Sequence, residues 1–117
     1  MKVTVHGLKN CDTCRKAVKW LDNANREYAF VDVRQSPPTS AVLKSALATV
    51  GVDKLVNKRS TTWRSLSESE RALATDGQAL SLLEAHPTLM KRPLLVVDTA
   101  VTVGFDPADP VWQSVNR

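Results

Sequence analysis

The sequence predicts an α/β fold with a mixed sheet, ordered β-α-β and, after a helical insertion, β-β-α. Three observations carry that order. The chain opens on an alternating run, then a helix-period segment, then a second strand-like run at residues 27–33. The stretch "RPLLVVDTAVTVGF", residues 92–105, sets two apolar runs around Asp98, Thr99 and Ala100, as a hairpin does. Between these halves lie helix caps and helical spacing.

Residues 2–6 alternate, with Val3 and Val5 on one side, and a loop at 7–10 follows. From 12 to about 24, Cys14, Ala17, Val18 and Leu21 recur at helical spacing, so Cys14 lies on the stripe that faces the core. A crossover helix between the first two strands makes them parallel neighbours. After the Pro37-Pro38 break, Thr39 or Ser40 can cap a helix carrying Val42, Leu43, Ala46, Leu47 and Val50, which Gly51 ends. Residues 52–66 read as an irregular connection. Ser67 with Glu70 three positions on has the capping-box spacing. Gly77 marks a break before a short helix with Leu80, Leu82 and Leu83, stopped by Pro87. Asp109-Pro110 supplies a cap and a first-turn proline for a last helix bearing Trp112 and Val115.

A chain of 117 residues, 43% hydrophobic and 24% charged, fits one globular domain over residues 1–117. No apolar run reaches the ~18 to 20 residues of a membrane span, and the first residues lack a leader pattern, so the expected compartment is the cytoplasm. The formal charge of +4 favours anionic partners. Direct nucleic-acid binding is disfavoured, because the basic residues are scattered with no interleaved aromatics. No obligate interface is evident, and the expectation is a monomer.

The chemistry centres on "NCDTCRKAVKWL", residues 10–21, which holds the only two cysteines. Cys11 falls at the helix start, where free N–H groups and the helix dipole favour a thiolate over a thiol. Lys9, Arg15 and Lys16 add positive charge nearby in sequence. Cys14, one turn on, is placed to resolve a disulfide formed on Cys11. Two other readings stay open. The pair could be half of a zinc site completed by His6 and His86, although a second CxxC and an HxxxH spacing are missing. Cys14 could equally be a small buried hydrophobe. The β-α-β unit with CxxC after its first strand, followed by β-β-α, is the thioredoxin-like arrangement, and Pro93 stands where that arrangement has a cis proline beside the active thiol.

"KNCDTCRKAVKWL", "LVNKRSTTWRSL" and "KRPLLVVDTAVTVGF" closely resemble, in this order, the ArsC-like family. That family groups glutaredoxin-linked arsenate reductases, Spx/MgsR regulators that bind RNA polymerase, and YffB-type proteins linked to glutathione-dependent thiol reduction. "NCDT" and "TTWR" are most similar to the last group. The resemblance implies that Cys11 is the catalytic cysteine and that Arg92, before Pro93, holds an oxyanion or thiolate beside it. Arg59 lies in the loop that supplies another arginine in the reductases, with the register shifted by one or two positions. A third arginine is missing from "VGFDPADP", where Asp106 and Asp109 place negative charge instead. Lys58 could stand in for it only as a point charge. The CxxC itself is more like the Spx-type regulators.

These readings together predict a thiol-disulfide oxidoreductase with Cys11, Cys14 and Arg92 as catalytic residues. Lys9, Asn10, Arg15, Arg59 and Pro93 are the expected substrate contacts. No cofactor or metal is expected, and the resemblance implies glutathione as co-substrate or a glutaredoxin- or thioredoxin-type reductant as partner. The competing expectations are a redox-sensing regulator that binds RNA polymerase and a glutaredoxin-coupled arsenate reductase.

Overall fold

The computed structural model describes residues 1–116. Four strands form one mixed sheet in the order β2-β1-β3-β4: β1 (Val3–Gly7), β2 (Ala29–Asp32), β3 (Leu94–Val97) and β4 (Ala100–Val103). β1 and β2 run parallel, with Val5 opposite Phe30, as the crossover through α1 (Asp12–Asn23) requires. β3 is antiparallel to both β1 and β4, and Asp98, at φ +54°, turns the hairpin. The architecture is thioredoxin-like, with the helical insertion between its two halves.

Period-two alternation divides the core between the two faces of the sheet. Val3 and Val5 of β1 and Leu95 and Val97 of β3 point to one face, where Ala17 and Leu21 of α1 and Trp112 of α7 (Pro110–Ser114) cover them. Leu94 of β3 and Val101 of β4 point to the other face, under Leu43 and Ala46 of α2 (Ser40–Val50) and under the insertion. Trp112 is fully buried yet satisfied, because its indole N–H donates to the Gly104 carbonyl at 3.0 Å. Its ring meets Trp20 and Phe105 edge-on, at 5.7 and 4.9 Å between centroids.

The caps that the sequence signals are formed. The Thr39 hydroxyl accepts from the Val42 N–H, Asp109 accepts from the Val111 N–H, and Ser67 and Glu70 close a reciprocal capping box. That box opens only a single turn, α5 (Glu68–Arg71), before the short helix α6 (Ala79–Ala85). Residues 52–66 correct the expectation of an irregular connection. Gly51, at φ +83°, reverses the chain directly into α3 (Val52–Leu55), and the Ser60 hydroxyl caps α4 (Thr61–Ser65) by accepting from the Trp63 N–H. These turns are too short for a visible helical period, and docking of Leu55, Val56 and Leu66 into the core holds them. Among the described residues no helix is long and apolar enough to cross a membrane.

The two histidines lie in separate parts of the fold. His86 bonds Glu70 at 2.9 Å, while His6 is buried in β1, where burial lowers its pKa. Among the described residues no group of three or more His, Cys, Asp or Glu side chains could hold a metal ion.

Candidate active site

Cys11 ends the loop after β1 and occupies the cap position of α1, with extended backbone (φ −100°, ψ 124°) and a half-buried side chain. A cysteine makes an incomplete cap, since its side chain closes no conventional cap hydrogen bond. The consequence is chemical. Burial pushes the thiol up, but the backbone N–H and thiol of Cys14 and the backbone N–H of Thr13 favour the thiolate. The Arg92 guanidinium adds to them, and the net result is a pKa below that of an ordinary cysteine.

Cys14 has the opposite environment. It is 1% exposed, and burial, reinforced by the neighbouring Cys11, pushes its pKa up to about 11. Its sulfur lies against the end of β1 where only glycine fits: a Cβ on Gly7 would stand 2.7 Å from the Cys14 sulfur. Both cysteines are free thiols.

Arg92 comes from the segment between the insertion and β3, and the Arg92-Pro93 bond is cis, as expected. The guanidinium is anchored at one end, with Nη1 donating to the Thr88 carbonyl at 2.7 Å and more weakly to the Met90 carbonyl. Thr88 is itself tied to Thr62 of α4 by a 2.7 Å hydroxyl bond, so the insertion positions the arginine. Among the described residues, the buried Nε of Arg92 has no hydrogen-bond partner.

Cys11 and Arg92 open onto a cleft of about 380 Å³. Asn57, Lys91, Phe105 and Asp106 complete its walls, together with Thr13, Val103 and Gly104. The hairpin side is fixed in place, since the Gly104 N–H donates to the Pro93 carbonyl at 2.8 Å.

Several expected contacts lie elsewhere. Lys9 and Arg15 line a different hollow, on the other side of α1, where Arg15 pairs with Asp12 of its own helix. Asn10 is exposed and is not part of the cleft wall. Arg59 is exposed too, and its backbone N–H donates to Asn57 Oδ1 at 3.0 Å. Asn57, two positions earlier, takes the place in the cleft expected for Arg59. Lys58 stands over the Trp63 ring, 5.7 Å from its centroid, and Arg71 lies at the same distance, so the "TTWR" tryptophan serves packing. The two acidic residues after the hairpin also divide. Asp106 lines the cleft, whereas Asp109 is held by the Thr102 hydroxyl and the Val111 N–H.

Sequence reasoning missed Asn57, Lys91 and Phe105. Lys91 had a usable signal, being adjacent to Arg92; the other two enter only because the insertion and the hairpin end converge on the cysteine loop.

A thioredoxin-like sheet with an activated cysteine at its first helix start defines the class. Residues 6–110 match the ArsC family model, and the chain belongs to the ArsC family. An uncharacterized protein of Haemophilus influenzae is 44% identical over 89% of this chain and 91% of its own length. The regulatory protein MgsR of Bacillus subtilis is 29% identical over 92% of this chain and 86% of its own. A solved structure named YFFB protein superposes with a TM-score of 0.88 at 30% identity, covering 99% of this chain and all of the other.

Proposed function

We propose that the protein is a cytoplasmic thiol-disulfide oxidoreductase acting on glutathione mixed disulfides, with Cys11 as nucleophile. One observation carries this reading: a half-exposed cysteine at a helix start, in a cleft, with its pKa lowered by the N–H groups around it and by Arg92. The Cys11 thiolate attacks the glutathione sulfur of a mixed disulfide, forming a Cys11-glutathione disulfide. The bond between the two substrate sulfurs breaks, and the other thiol leaves with its electron pair and takes up a proton. A second glutathione thiolate then attacks that glutathione sulfur, releasing glutathione disulfide and restoring the Cys11 thiolate. In sum, a mixed disulfide and glutathione become a free thiol and glutathione disulfide.

Cys14 plays a supporting part in this scheme. A thiol held at a pKa of about 11 and 1% exposed is a slow resolving nucleophile, but as a hydrogen-bond donor it favours the Cys11 thiolate. Arg92 orients and stabilises the attacking and leaving thiolates.

Arsenate reduction is the weaker reading. A tetrahedral dianion requires several converging charge-assisted donors, and this cleft offers one guanidinium, with Arg59 outside and Asp106 inside. A redox regulator with RNA polymerase as partner draws on the proximity of the two thiols and on the likeness to MgsR. The test is a panel assay of the reduced protein with glutathione disulfide, a glutathione mixed disulfide and arsenate, with Cys11→Ser as the blank. Turnover of the mixed disulfide alone is expected; arsenate turnover coupled to glutaredoxin would replace this reading.

A further inference from the structure

Two opposite charges line the cleft without meeting each other. Lys91 stands on the wall that leads into β3, its side chain against Gly104, and Asp106 stands on the wall that follows β4. Among the described residues neither side chain forms an ion pair, although ion pairs occur elsewhere on the surface. One oxygen of Asp106, Oδ1, accepts the Ala108 N–H at 2.9 Å, and among the described residues Oδ2 has no hydrogen-bond partner. The two walls are held in fixed relation by the bond from the Gly104 N–H to the Pro93 carbonyl and by the Trp112 indole on Gly104. A third polar group is also unspent, the buried and unpartnered Nε of Arg92. A cleft meant for a simple anion gains nothing from an aspartate on its wall, and one meant for a cation gains nothing from Lys91 and Arg92.

We infer that this cleft recognises a free α-amino-acid terminus on the thiol compound bound at Cys11. Its carboxylate lies on Lys91 and its ammonium on Asp106. The inference rests on the proposed thiol exchange and narrows its substrate class to thiols and disulfides of zwitterionic peptides, of which glutathione, with its γ-linked glutamate, is one. Phe105, whose ring is fixed against Trp20 and Trp112, offers an apolar face for the stem between that terminus and the sulfur.

The experiment compares two mixed disulfides of 2-mercaptoethanol, one with glutathione and one with N-acetylglutathione, which keeps the carboxylates and loses the ammonium. The rate of Cys11 capping is followed by mass spectrometry, and 2-hydroxyethyl disulfide serves as an uncharged reference. The wild-type protein is expected to react with the glutathione compound about fivefold faster than with the acetylated one, the upper end for a solvent-screened ion pair. Asp106→Asn, which keeps the oxygen that accepts from Ala108, is expected to bring that ratio close to one, and Asp106→Glu to restore part of it. Lys91→Met is expected to slow both charged compounds relative to the uncharged one. A wild-type ratio near one, or a ratio unchanged in Asp106→Asn, with brisk capping by 2-hydroxyethyl disulfide, would overturn this inference and leave the thiol exchange standing. Failure of Cys11 to exchange with any of the three disulfides would overturn both.

Discussion

The hollow on the far side of α1 measures about 510 Å³, against about 380 Å³ for the cleft at Cys11, and the two share the cysteine loop between them. The larger one has a floor of Leu8, Val18, Tyr28 and Phe30, with Lys9, Arg15 and Lys19 around it. Two of its polar groups have side-chain partners: Arg15 pairs with Asp12 of its own helix, and the Tyr28 hydroxyl donates to Asp22 at 3.0 Å. The thiol at its edge, Cys14, is buried and held protonated. In the smaller cleft the thiol is half-exposed with a lowered pKa, and Arg92 keeps a donor unspent. Volume and apolar lining alone favour the hollow away from Cys11. The half-exposed thiol with a lowered pKa is what singles out the smaller cleft as the proposed site.

The sharpest way to break this contrast is to remove each sulfur in turn. Cys11→Ser is expected to cost about a thousandfold or more in turnover of a glutathione mixed disulfide, as loss of a nucleophile does. Cys14→Ala is expected to retain most of it. Equal losses in the two variants, measured by coupled glutathione reductase assay, would make Cys14 an obligatory resolving thiol and erase the distinction between the two sides.

Stability probes the buried side. Gly7→Ala drives a methyl group to within 2.7 Å of the Cys14 sulfur, and overpacking of this kind costs about 1 to 3 kcal/mol. Urea denaturation is expected to show that loss, and the double variant Gly7→Ala with Cys14→Ala to recover part of it. No recovery would place the strain elsewhere.

The pH dependence of stability follows from the raised pKa of Cys14. Between about 8.5, the value of a free thiol in the unfolded chain, and the folded value of about 11, the unfolded chain releases a proton that the folded chain retains. Stability contributed by Cys14 is therefore complete below about 8.5 and is lost as pH rises toward 11. Thermal melts over that range are expected to fall more steeply for the wild type than for Cys14→Ala. Parallel curves would show that the thiol ionises freely in the folded protein.

Smaller effects are expected from the charges. Burial and the N–H groups at the helix start outweigh Arg92 in setting the pKa of Cys11, so Arg92→Met is expected to raise the alkylation midpoint by less than about one pH unit. Arg15→Ala and Arg59→Ala, both outside the cleft, are expected to change exchange rates by no more than about twofold, as surface charges usually do. A large loss in either variant would bring the far hollow or the insertion loop into the reaction.

Local signals explain why much of this was legible in the sequence. Alternation in Val3 and Val5, the helical stripe of Cys14, Ala17 and Leu21, and the caps at Thr39, Ser67 and Asp109 act over a few residues, and each formed as read. Part of the lowered pKa of Cys11 belongs with them, because the N–H groups of Cys14 and Thr13 at the helix start come from the same few residues. Arg92 was found through resemblance; that it shares a cleft with Cys11 and is anchored on the Thr88 carbonyl could not be read from spacing.

Tertiary structure decided the rest, through contacts between residues far apart in the chain. Proximity in sequence put Lys9, Asn10 and Arg15 next to Cys11, but a helix rotates its side chains by about 100° per residue, which carries Arg15 to the far side of α1, and the loop ahead of the helix leaves Lys9 there too. The loop of Arg59 delivers Asn57 to the cleft instead, because the register of that loop is set by the docking of Leu55 and Val56 in the core. The division between Asp106 and Asp109 has the same origin: the cap of α7 claims one carboxylate, and the end of β4 leaves the other on the cleft wall. The sequence by itself determined the order of elements and the placing of Cys11 at a helix start, because both depend on periodicity and on caps that act over a few residues. Which charges surround that cysteine depended on how three separate segments fold back upon it.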